Sequence, residues 1–200
     1  MKEIRKFDMQ FRASENPDEM KIEGYAVVFN SPETYDYTEV IDEHALDETD
    51  MSDVVLRYNH NDSFMVLART RNKSLKLNVD EKGLMIDAKL QDDITDHKNI
   101  YNAIKSGLID KQSFAFSVDE DEYDYDTDTR IIKKIGKLYD VSVVDQPFYN
   151  ATDVSVARSE NDEFLTKRKE LREEHEKQLE EEKRQEELKK AKEELLKKLG

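Results

Sequence analysis

The stretch Gln112-Ser113-Phe114-Ala115-Phe116-Ser117-Val118 decides the fold class. Its side chains alternate with the period of a β-strand. Phe114, Phe116 and Val118 share one face, which reads as core. Ser113, Ala115 and Ser117 share the other, small and polar, with room beside it for a substrate chain. The same small side chains equally fit a crowded or an exposed surface. An acidic segment from Asp119 to Asp128 follows and reads as the tip of a hairpin. Arg130-Ile131-Ile132 and the apolar stretch Lys137–Val144 (KLYDVSVV) form the return, closed by Pro147. Asp140 lies inside that apolar stretch. A carboxylate there needs a partner if it points inward, because burying it alone costs several kcal/mol. Otherwise it faces solvent between inward-facing neighbours.

Upstream, short strands continue. Ile22–Phe29 and Val54–Tyr58 are rich in β-branched and aromatic residues. Leu75–Val79 alternates at period two, and a turn at Asp80–Gly83 leads into Leu84–Leu90, so 75–90 reads as a β-hairpin. The period then changes. Ile94, Ile100, Tyr101, Ile104 and Leu108 suit one helix face, with Gly107 near its end. A second helical stretch is expected around Glu43–Leu46. The expected class is therefore mainly β with flanking helices (α+β). With five glycines and three prolines in 200 residues, most turns must rely on Asp and Asn.

Residues 158–200 differ in kind. They carry 13 Lys/Arg against 14 Asp/Glu, so the excess acid of the chain, net charge −15, belongs to residues 1–157. Glu→Lys/Arg pairs four apart recur: Glu163–Lys167, Glu173–Lys177, Glu180–Arg184, Glu186–Lys190, Glu193–Lys197 and Glu194–Lys198. Each adds roughly 0.2–0.5 kcal/mol to a helix. The leucine seam is thin and its spacing is no clean heptad, so a solvated helix or one that pairs with a partner is expected rather than a self-sufficient coiled coil. The expected division is a domain over 1–157 and a charged helical tail over 158–200. Acidity on this scale disfavours nucleic acid and anionic membrane surfaces as partners. No apolar run could span a bilayer, and the start (MKEIRKFDMQ) does not read as a signal peptide. The absence of cysteine excludes disulfides and Cys-based zinc sites. These features point to a cytoplasmic protein.

His60 follows the Val54–Tyr58 stretch directly, where a rigid scaffold can aim a functional side chain. Alone, a histidine at a strand end is more often a turn residue. Asp62, Asp92, Asp93, Asp96 and His97 are oxygen and nitrogen donors, yet no tight metal-ligand spacing appears among them. The run Asp124, Asp126, Asp128 lacks the glycine and the bidentate Glu of a calcium loop, with Thr129 and Ile135 in those places.

In this order the pieces resemble the prohead (procapsid maturation) protease family of tailed bacteriophages. The resemblance is carried by Gly24-Tyr25-Ala26 with Phe29-Asn30, by Leu56 through Asn59-His60-Asn61-Asp62, by Leu67-Ala68-Arg69, by Gly83–Leu90, by Gly107-Leu108-Ile109 with Gln112–Phe116, and by Leu138–Val144 with Pro147. Ala68 and Ala115 stand where glycine is common in the family, and His44-Ala45-Leu46 replaces a usual Gly-Ala-Phe. The family resemblance implies a small β-barrel similar to herpesvirus assembly proteases. It implies Ser113 as nucleophile, His60 as general base and Asp140 as the third member, in a chain order unlike that of chymotrypsin, subtilisin or the α/β-hydrolases. Asp145 is the alternative third member and Ser117 the alternative nucleophile. Arg158 and Arg69 are candidates for placing an oxyanion donor or a water. No cofactor or metal is implied. The implied substrates are scaffold segments, the scaffold-like part of the major capsid protein and the protease itself. The implied setting is an assembling procapsid in the host cytoplasm, and the implied oligomer a homodimer. A non-catalytic scaffolding protein that works through the charged tail is the alternative.

Overall fold

The computed structural model describes residues 2–7, 12–14, 19–34, 37–145 and 155–199. The strands are β1 (Lys2–Phe7), β2 (Arg12–Ala13), β3 (Lys21–Val28), β4 (Glu33–Thr34), β5 (Thr38–Ile41), β6 (Val55–Tyr58), β7 (Ala68–Arg69), β8 (Leu75–Asp80), β9 (Gly83–Lys89), β10 (Lys111–Asp124) and β11 (Thr129–Val144). The helices are α1 (Thr95–Lys105) and α2 (Ser155–Leu199).

The expected hairpin around the acidic segment is the backbone of the larger sheet. β10 and β11 pair antiparallel over most of their length. The turn at 125–128 is held by the Asp124 carboxylate, which accepts the Asp126 N–H at 2.9 Å. β1 lies antiparallel on the outer side of β10, with Lys6 opposite Ser113. On its other side β11 takes two short parallel partners, β5 at residues 129–132 and β6 at residues 140–143. This second pairing brings the end of β6, and so His60, beside Asp140 and Ser142.

The smaller sheet runs β2-β3-β9-β8. Its β8–β9 hairpin turns at Asp80–Gly83, as expected. Gly83 has φ +153°, and a Cβ there would lie 2.0 Å from the Val27 carbonyl oxygen. Only glycine allows β3 so close, at the place where its register shifts.

Apolar residues from both sheets and α1 share one core, centred on Ile22, Leu56, Leu84, Ile86, Phe114, Phe116 and Leu138. The rings of Phe114 and Phe116 stack at 4.7 Å. α1 contributes Ile100, Tyr101 and Ile104. Leu108, expected on the same helix face, lies beyond the Ser106 C-cap and is exposed, because the chain has already left the helix.

Two further expectations are corrected. Residues 43–48 form successive turns closed by three-residue bonds such as Asp47 N–H to the His44 carbonyl, not a helix. The barrel does not form either: the described strands make two sheets that do not close on themselves. The larger sheet ends on β1 at one side and on the two-residue strands β4 and β7 at the other, and these ends do not pair with one another.

The chain divides by its internal contacts into a unit of residues 1–160 and a unit of residues 161–200. In the second unit Glu186 and Lys190 pair at 2.8 Å, and Leu179 and Leu188 are exposed. No helix among the described residues is long and apolar enough to cross a membrane.

Candidate active site

His60 is delivered by a tight turn at the end of β6. Asn59 and His60 both have φ 53°, and the Asn61 N–H closes the turn onto the Tyr58 carbonyl at 3.0 Å. Left-handed backbone is costly for residues other than glycine, on the order of 1–3 kcal/mol each, and persists only where the surroundings impose it. Here they do. The Asn59 N–H donates to the Val143 carbonyl at 2.9 Å. The Asn59 side-chain amide donates to Asp145 at 3.0 Å, and Asp145 also accepts the Tyr58 hydroxyl at 2.7 Å. The His60 N–H donates to Ser142 Oγ at 3.1 Å.

The ring of His60 then bridges two strands. Nδ1 is 2.5 Å from Asp140 Oδ1, and Nε2 is 2.6 Å from Ser113 Oγ. Ser113 and Asp140 meet because Ser113 faces Ser142, and Ala115 faces Asp140, across the β10–β11 ladder. Asp140 is buried, which opposes its ionisation. Its hydrogen bond to His60, the charge of His60 and that of Lys2 outweigh burial and hold its carboxyl below the ordinary value. Lys2 Nζ lies 3.4 Å from Asp140 Oδ2. A carboxylate at Nδ1 favours the tautomer whose Nε2 is free to accept a proton, and Ser113 presents its hydroxyl there. The arrangement is that of an activated nucleophile, its base and an orienting acid.

The structure thus brings His60, Ser113 and Asp140 together. Asp145 instead braces the turn beneath His60. Ser117 accepts the Lys137 N–H at 3.1 Å and does not approach the imidazole. Arg69 forks onto Asp53 with two bonds of 2.6 Å. The side chain of Arg158 and Pro147 lie outside the described residues. His97 is buried, accepting the Gln91 N–H and donating to the Val66 carbonyl, which is a packing role. No cluster of three or more metal-ligating side chains occurs among the described residues.

Two participants went unread in the sequence. Ser142 Oγ sits 3.1 Å from both His60 Nδ1 and Asp140 Oδ1. Its spacing of two from Asp140 on one strand was the available signal. The other is the Arg5 carbonyl, 2.6 Å from Ser113 Oγ. The room expected beside the serine face is filled: Ser113 is fully buried.

No curated protein and no solved structure shows significant similarity to this chain. The model of one family, the caudovirus prohead serine proteases, matches residues 7–167, a span that contains His60, Ser113 and Asp140. The chain belongs to the caudovirus prohead serine protease family.

Proposed function

We propose that this chain is a serine endopeptidase of procapsid maturation, with Ser113 as nucleophile, His60 as general base and Asp140 as its orienting acid. The observation that carries the reading is the unbroken line Ser113 Oγ, His60 Nε2, His60 Nδ1, Asp140 Oδ1, joined at 2.6 and 2.5 Å. Ser113 Oγ attacks a peptide carbonyl while His60 takes its proton. His60 returns that proton to the leaving amine, and water releases the acyl group by the same route in reverse. Asp140 holds the ring tautomer and stabilises the imidazolium. Scaffold segments, the scaffold-like part of the capsid protein and the enzyme's own chain are the substrates. The charged helix is an address that carries the enzyme into the growing shell.

The test is mass spectrometry of capsid proteins made together with wild-type or variant enzyme. Ser113→Ala and His60→Ala should each remove cleavage, by roughly 10⁶-fold in kcat, with an unchanged circular dichroism spectrum. Continued capsid processing by Ser113→Ala would refute the assignment. A scaffold that does no chemistry would give the same masses from both chains.

A further inference from the structure

Ser113 has one hydroxyl proton and two acceptors at 2.6 Å, His60 Nε2 and the Arg5 carbonyl oxygen. A proton given to Arg5 is not available to His60. Its side chain also has no exposed surface, so no peptide carbonyl can reach Oγ while its surroundings stay as they are. The backbone that touches it belongs to β1, which runs antiparallel along residues 112–117 of β10 as the terminal strand of its sheet. An extended peptide added to that edge would make the same ladder and bring a carbonyl to the same place.

We propose that β1 occupies the seat of the substrate backbone on the edge of β10 and keeps the Ser113 site closed until it withdraws. This rests on the reading of Ser113 as the nucleophile. The other face of β1 shows how it is held and how it can leave. Arg5 donates to Glu3 at 2.5 Å and to Glu39 at 2.7 Å, and Arg130 donates to Glu3 at 2.7 Å, all of them buried. Glu3 and Arg5 leave together as a neutral pair. Arg130 then keeps Glu39 at 3.1 Å and Asp121 at 2.6 Å, so no buried cation is orphaned. Withdrawal frees the backbone edge of β10, which an extended substrate satisfies in turn. It also leaves His60 Nε2 as the one remaining acceptor for the Ser113 proton among the described residues.

The chain contains no cysteine, so a tether can be introduced cleanly. Lys2 and Ser117 face each other across the β1–β10 ladder. The double variant Lys2→Cys/Ser117→Cys, oxidised and then reduced, is compared by its rate of labelling at Ser113 with a biotinylated fluorophosphonate. Ile4→Pro, which removes a β1 N–H, is measured beside it. The oxidised form should label at least about tenfold more slowly than its own reduced form, and Ile4→Pro at least about tenfold faster than wild type, as expected when only the open fraction reacts. Equal rates in oxidised and reduced forms, with Ser113 labelled in both, would overturn the closure and leave the nucleophile standing. No labelling in any folded variant would overturn both. Should Ile4→Pro fail to fold, the oxidised and reduced pair decides alone.

Discussion

His60 occupies a backbone region that its own residue type does not favour, and Ser142 is the side chain that touches both His60 and its acid. Ser142→Ala would leave the half-buried His60 N–H without its acceptor and take one hydrogen bond from Asp140. A lost bond to a charged group costs about 1.5–3 kcal/mol, so kcat/KM should fall roughly 10- to 100-fold. The drop should appear in kcat more than in KM, because Ser142 positions the base and does not touch substrate. Peptide kinetics on Ser142→Ala and Ser142→Thr check this; an unchanged Ser142→Ala would remove Ser142 from the site. Gln112, one residue before Ser113, presents the opposite case. Its side-chain amide is fully buried, and neither Nε2 nor Oε1 has a hydrogen-bond partner among the described residues. Replacing an unsatisfied amide by an apolar side chain of similar size removes a penalty of about 1–3 kcal/mol. Gln112→Leu should therefore melt higher by a few degrees, roughly 2–4 °C per kcal/mol for a chain of this size. A lower melting temperature would show that the amide is needed where it sits.

At the scale of elements, the alternation of Ser113–Val118, the hairpin at 75–90 and the Ile100, Tyr101 and Ile104 face of α1 were all legible, because each follows from local spacing and burial. Glu43–Leu46 was misread. Its Ala and Leu suit a helix, but both pack into the core from a run of turns, and tertiary burial outweighed local preference. Gly83 combines a local role with a long-range one. The turn after Asp80 was readable, whereas the contact with the Val27 carbonyl joins segments far apart in the chain. Gly83→Ala should cost at least about 2 kcal/mol, since the clash is with backbone and adds to an unfavourable φ. A urea titration measures it, and a loss under about 0.5 kcal/mol, the usual range for surface changes, would mean that β3 can give way.

Over the whole molecule, the buried Glu3, Arg5, Glu39 and Arg130 tie β1 to β5 and β11. Burial opposes the ionisation of Glu3, and bonds from Arg130 with the charge of Arg5 outweigh it, so its carboxyl is held below the ordinary value. Asp140 behaves alike. Such groups contribute stability above the unfolded carboxyl pKa of about 4, and the contribution is lost as the pH falls toward their lower folded values. The melting temperature should drop between pH 5 and pH 3 at constant salt, limits set about one unit either side of that pKa. Glu3→Gln should melt lower than wild type at pH 7 and lose less on acidification; parallel curves would place the acid sensitivity elsewhere. By itself the sequence determined the β character, the separate composition of the tail, and the three residues offered for chemistry, because alternation, charge and motif order are written along the chain. The tertiary structure alone decided that those residues meet, that Ser142 joins them, and that β1 lies against Ser113. These depend on which strand pairs with which and in what register, and pairing between distant segments leaves no mark in local spacing.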